Sequence, residues 1–105
     1  MTNRIDQLEQ FVKEDPNDPF NLYALGLEYS KTDKLRASQI FSSLIEVHTE
    51  YLPTYYHLAK LYQELDEIQN ALRVFDLGIE QAKKQNDQKT LRELLGAKQE
   101  LEFES

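Results

Sequence analysis

Few side chains in this sequence could do chemistry, and their spacing decides what kind. Histidine occurs twice, at His48 and His57, nine positions apart. A metal site on helices needs ligands that converge on one face, as in His-x-x-x-His, and this spacing does not supply them. Glu46, His48 and Glu50 alternate along the chain and so splay around a helix. Both histidines are expected at a surface or in a groove, with no metal. Carboxylates come in pairs, Asp66-Glu67 and Glu14-Asp15 among them. Acid–base catalysis needs a pocket that drives the two pKa values of a pair apart. The sequence offers no such pocket, and both pairs fall at expected helix starts, where the helix dipole favours acids anyway. There is no cysteine, so thiolate chemistry, disulfides and cysteine-bound zinc are excluded. Gly26, Gly78 and Gly96 are isolated from one another, which leaves neither a phosphate-cradling loop nor a Gly-x-Ser-x-Gly elbow. No catalytic residue, cofactor or metal is expected, and the chain does not read as an enzyme.

The bulk properties point the same way. With 105 residues the chain supports one domain around one modest core. Twelve Lys and Arg stand against 19 Asp and Glu, a net charge of -7. A nucleic-acid backbone would be repelled, so no nucleic-acid partner is expected. No apolar run approaches the roughly 18 residues of a membrane span, and the start of the chain lacks a signal-peptide stretch. No membrane association is expected, and the cytoplasm is the default compartment.

The elements that must position these side chains are helices. Ile5, Leu8, Phe11 and Val12 make one apolar stripe that stops before Pro16. Asp18-Pro19 starts a second helix, with Asp as the cap and Pro in the first turn; its face is Leu22, Leu25, Gly26 and Tyr29. Asp33 caps a third, carrying Leu35, Ala37, Ile40, Phe41, Leu44, Ile45 and His48. Leu52-Pro53 opens a fourth, with Tyr55, Leu58, Ala59 and Tyr62. Asp66 is expected to cap a fifth, with Ile68, Ala71, Leu72, Phe75, Gly78, Ile79 and Ala82. Asn86-Asp87 makes the last turn before a helix bearing Leu91, Leu94, Leu95 and Leu101. No strand is expected.

The helices repeat. Leu25-Gly26-Leu27-Glu28-Tyr29 lies over Leu58-Ala59-Lys60-Leu61-Tyr62 at an offset of 33. Ala37 then falls on Ala71, Phe41 on Phe75 and Leu44 on Gly78 at an offset of 34, the extra residue being placed in a turn. Small residues are expected to face small ones where the helices of a hairpin cross. The pattern of a large residue, Leu, Gly or Ala and Tyr, followed by Ala and Phe in the next helix, resembles the tetratricopeptide repeat (TPR) family. Departures are Leu22 for the usual aromatic, Leu44 for the later small residue, and the lack of a closing Pro in the second repeat.

The resemblance implies an all-α fold, about six helices in antiparallel hairpins stacked as a right-handed superhelix. It implies one domain: a half repeat at 3–14, repeats at 19–51 and 52–85, and a capping helix at 88–103. The last helix aligns on the fourth at an offset of either 36 or 37.

It also implies a binding mode. In the family, a second stripe on each first helix lines a concave groove for a peptide segment. Here that stripe offers Phe20, Tyr23, Leu27, Tyr56, His57 and Lys60. Chaperone-binding members hold a C-terminal carboxylate with Lys and Asn where this chain has Tyr23 and Leu27, so an apolar or aromatic ligand with at most one acid near Lys60 fits better. The expectation is a non-catalytic protein–protein interaction module, an adaptor with a protein or peptide partner. The alternatives are that these aromatics serve only packing between repeats, or that an exposed surface serves self-assembly. A monomer is expected, with a weak dimer through the aromatic groove as the alternative. The repeat alignment makes a stability prediction: Ala71→Leu overpacks a close helix crossing and costs about 1–3 kcal/mol, measurable by denaturant unfolding, and full stability of that variant would refute the alignment.

Overall fold

Capping chemistry determines where most of the helices begin. In the structure, a computed structural model describing residues 3–104, the helices are α1 (Arg4–Glu14), α2 (Pro19–Tyr29), α3 (Lys34–Val47), α4 (Pro53–Glu64), α5 (Ile68–Lys84) and α6 (Gln88–Glu104). No strand occurs among the described residues. Asn3 Oδ1 accepts from the Asp6 N–H at 2.8 Å, Asp18 Oδ1 from Phe20 at 2.9 Å and Asp33 Oδ1 from Arg36 at 3.1 Å. Asp87 caps α6 by accepting from the Thr90 N–H at 3.0 Å. That hydrogen bond to the ionised form holds the Asp87 carboxyl below its usual range. Pro19 and Pro53 occupy the first turns of α2 and α4, where a missing N–H costs nothing.

Three local expectations are corrected. Asp66 does not cap α5: Glu67 stands at the N-cap without a side-chain cap bond. Asp66 is instead the left-handed residue, at φ 61, that closes α4. Its N–H bonds to Gln63 O at 3.1 Å while the Glu67 N–H reaches back to Tyr62 O at 2.8 Å, the paired bonds of a Schellman closure. Asn86, at φ 55, closes α5 in the same way, with Asn86 N–H on Lys83 O at 3.2 Å and Asp87 N–H on Ala82 O at 3.0 Å. Short polar side chains tolerate this conformation better than others, so neither turn needs glycine. His48 lies one residue past α3 as its C-cap. Glu14 ends α1 and Asp15 is its C-cap, so that acidic pair closes a helix rather than starting one.

The chain divides into two compact units, the first ending at Tyr51 and the second beginning at Leu52. In the first, α2 pairs with α3 and α1 packs on α2. One core cluster there is Leu8, Leu25 and Ile40, with Ile5, Val12, Leu22, Ala24 and Tyr29 packed around them, and Ala37, Phe41 and Leu44 are fully buried. In the second, α4 pairs with α5 and α5 with α6. Tyr55, Leu58, Ala59, Ala71, Val74, Phe75, Ala82 and Leu94 are buried there.

Glycine sets the helix spacing in both units, by a contact different from the one expected. A Cβ on Gly26 would sit 2.5 Å from Phe41 Cε1, and one on Gly78 would sit 2.7 Å from Tyr55 Cβ and 3.0 Å from Leu94 Cδ1. Small therefore faces large: each glycine makes room for an aromatic residue of the neighbouring helix. Apolar residues off these stripes stay in water. Leu35 and Leu95, both expected inside, are 60% and 46% exposed, and Phe11 is also exposed. Leu35 lies two residues before Ala37, roughly 200° around the helix from it. On α6, Leu94 takes the buried position while Gly96 meets nothing within 4 Å. That favours the alignment at offset 36 over 37.

A glycine pair tests this packing. Gly78→Ala gains helix propensity but forces a methyl against the stem of buried Tyr55, and is expected to lose about 1–3 kcal/mol. Gly96→Ala has open space and is expected to gain up to about 1 kcal/mol. Thermal denaturation of the two variants should show opposite shifts.

Candidate functional site

The outer stripe of α2 begins at Phe20, whose backbone N–H is tied to the Asp18 cap and whose ring is 59% exposed. One turn on, Tyr23 is only half exposed. Its ring centroid lies 5.5 Å from Tyr51 in an edge-on contact and 6.0 Å from Phe41. Burial and the neighbouring Tyr51 phenol both raise the Tyr23 pKa, and burial likewise raises that of Tyr51. Tyr23 is thus one wall of an aromatic cluster rooted in the fully buried Phe41. Leu27, a turn further, is half-buried. Nothing in the repeat pattern singles out Tyr51, and its contact with Tyr23 appears only once the chain is folded.

The matching stripe on α4 has a different character. Tyr56, at the repeat position of Tyr23, is 38% exposed. Its ring meets His57 edge-on, centroids 5.8 Å apart. Burial lowers the His57 pKa, because an imidazolium there would lose hydration. The imidazole is therefore neutral near pH 7, a hydrogen-bonding group without charge. Lys60, one turn along, is partly exposed and is the cation of this stripe.

The residues with a chemical pretext stay dispersed. His48 Nδ1 is 3.8 Å from Glu50 Oε1, beyond hydrogen-bond range. His48 belongs to the first unit and His57 to the second. Among the described residues no group of three or more His, Cys, Asp or Glu is placed to hold a metal ion, and no helix is long and apolar enough to cross a membrane.

Two polar contacts escape sequence reasoning, since each joins residues far apart in the chain. The Tyr29 hydroxyl donates to Glu9 Oε1 at 2.7 Å, and the Arg36 guanidinium lies 5.9 Å from the centre of the same ring. The bond to the Glu9 carboxylate favours the protonated phenol and raises the Tyr29 pKa. This pair ties α1 to α2 beside a cleft of about 370 Å³ floored by Val12, Leu22, Leu25 and Ile40. On α5 and α6, Lys98 Nζ meets Asp76 Oδ1 at 2.7 Å at the edge of a shallow hollow of about 810 Å³ whose apolar lining includes Leu72, Leu77 and Leu95. Both hollows are open to solvent.

Comparison with known proteins yields similarity in structure. No family model and no curated protein matches the chain. The crystal structure of a tetratricopeptide repeat domain protein from Salinibacter ruber is similar at 44% identity, over 81% of this chain and 96% of that one, with a TM-score of 0.76. A solution NMR structure of a tetratricopeptide repeat domain protein from the same organism is similar at 45% identity, over 84% and 90%, with a TM-score of 0.79. The crystal structure of MamA shares the fold, at 20% identity over 95% of this chain and 67% of that chain, with a TM-score of 0.67.

The two equivalent tyrosines should respond differently to truncation. Tyr23→Ala removes a ring from a packed cluster and is expected to cost about 1–2 kcal/mol of stability. Tyr56→Ala is expected to stay within about 0.5 kcal/mol of the parent. Urea unfolding of both variants checks this, and equal losses would mean Tyr56 is packed as firmly as Tyr23.

Proposed function

The chain belongs to the tetratricopeptide repeat family, and from that premise we propose that it is a non-catalytic protein-interaction module that binds a peptide segment of a partner on the outer stripes of α2 and α4. In this reading 19–51 and 52–85 are the two repeats, 3–14 the half repeat and 88–103 the closing helix. Members of the family generally mediate protein–protein contacts through repeat scaffolds. The stripe on one hairpin offers Phe20, Tyr23 and Leu27, and that on the other Tyr56, His57 and Lys60.

The observation that carries the reading is the exposure of Phe20 and Tyr56, at 59% and 38%, on helices whose other faces are buried. Rigid aromatic rings in water next to a hydrogen-bonding imidazole and an amine are the composition of a binding hot spot. Tyr23 has a second role, as the firm backing of its stripe. Neutral His57 and the single cation Lys60 suit an apolar or aromatic segment with one acidic group better than a doubly charged carboxylate ligand.

The test uses peptides selected from a random display library on the intact wild-type chain. Their affinity is then measured on Phe20→Ala, Tyr56→Ala and Lys60→Glu variants. Each aromatic truncation is expected to cost more than about 1 kcal/mol of binding, or roughly fivefold or more in Kd. Lys60→Glu should weaken acidic peptides selectively. Selected peptides that bind all three variants as tightly as wild type would place the ligand surface elsewhere.

A further inference from the structure

Gly96 is the third glycine of the chain, and the other two show how this sequence uses the residue. Gly26 and Gly78 each lie where a side-chain carbon would strike an aromatic residue of a neighbouring helix. Apart from the adjoining residues and backbone of its own helix, no atom of the described residues lies within 4 Å of the place a Cβ on Gly96 would occupy. A glycine in the middle of a water-exposed helix weakens that helix relative to alanine, and no neighbour among the described residues requires it here. Seven residues on, about two turns and so on the same face, Phe103 is 93% exposed. Gly96, Gln99, Glu100, Phe103 and Glu104 together line a recess of about 410 Å³ on α6.

One helix face therefore carries both a notch of the kind that elsewhere receives an aromatic residue and an unpacked aromatic ring. These two features are self-complementary under a two-fold axis. If two α6 helices run antiparallel with the axis passing between positions 99 and 100, position 103 of each copy lies opposite position 96 of the other. Contacts of this sort are the rule in isologous dimers, where residue i meets j and j meets i.

We propose that this face of α6 is an interface between two copies of this chain, with the Phe103 ring of each copy seated on Gly96 of the other. At the axis the two Gln99 amides can exchange donor and acceptor. Arg92, one turn before Gly96 on the same face, flanks the incoming ring, where a guanidinium is favourable against an aromatic face. Glu100 of the two copies are brought together near the axis and repel. The patch is one helix wide and below the size of a stable interface, so the dimer is weak and is strengthened by added salt, which screens the glutamates. The ring that fills the notch is supplied by the chain itself, which makes a second copy the occupant rather than an unrelated partner. This surface shares no residue with the peptide stripes on α2 and α4, so it stands or falls independently of them.

Sedimentation equilibrium on the intact chain over a range of concentrations, at low and high ionic strength, is the test. Wild type should show a monomer–dimer equilibrium that shifts toward dimer with salt. Phe103→Ala and Gly96→Gln should each raise the dimer Kd about tenfold or more, while circular dichroism shows the helices retained. The decisive arm mixes the two variants. A heterodimer of Phe103→Ala with Gly96→Gln keeps one intact ring-on-glycine contact, so the mixture should associate more tightly than either variant alone. A wild-type chain that stays monomeric throughout overturns the proposal. So do variants that associate like wild type, or a mixture no tighter than its parts, since either would put the contact on another face or leave the recess to a different partner.

Discussion

The close crossing of helices at Gly26 and Gly78 is the constraint on which the rest of the structure depends. Phe41 and Tyr55 are fully buried, and each occupies space that a side chain on the opposing glycine would need. Interiors pack at crystal-like density, so a ring seated on bare backbone can be displaced only by moving a helix. In the first hairpin this contact fixes how α3 lies on α2. In the second unit, Gly78 meets Tyr55 from α4 and Leu94 from α6 together, so a single position sets the approach of two helices to α5.

The flanking helices are held by burial and then oriented by a few polar contacts. Leu8 is the buried anchor of α1, and Leu94 and Leu101 are those of α6. The Tyr29–Glu9 hydrogen bond and the Lys98–Asp76 ion pair lie at the edges of those contacts. An exposed ion pair contributes little, with a median of about 0–1 kcal/mol, and a single hydrogen bond about 0.5–1.5 kcal/mol, so the docking of both helices is driven mainly by their apolar stripes. The turns work in a similar way. Asp66 and Asn86 accept a left-handed conformation so that each helix end can satisfy its last carbonyls in a tight closure, and the following helix starts within two residues.

The two outer stripes show how one repeat pattern yields two surfaces. Tyr23 and Tyr56 share a repeat position, yet Tyr23 stacks into a cluster with Tyr51 and Phe41 while Tyr56 is exposed with His57 at its edge. The difference comes from Tyr51, a residue outside both helices of its hairpin. A turn residue thereby packs against Tyr23 of one stripe, while its counterpart Tyr56 stays exposed.

The sequence alone determined the helices, their order and the family. Apolar spacing of three and four, proline in first turns and the 33–34 residue repeat are local or periodic signals, and they survive without knowledge of any contact. Asp18 and Asp33 were legible as caps for the same reason, because a cap bond spans only two or three residues. The role of Asp66 was not legible: an acid before a helical run fits both an N-cap and a left-handed closure, and the choice depends on how the preceding helix ends. Only the tertiary structure decided what each glycine is for. Gly26, Gly78 and Gly96 look alike in the sequence, but the first two lie beneath packed side chains and the third faces open space. It likewise decided that Leu94 is buried and Leu95 is not, and that Tyr23 is walled in while Tyr56 is exposed. Periodicity specifies which side chains share a face; which faces are covered depends on neighbours distant in the chain, and those are defined only by the packed fold.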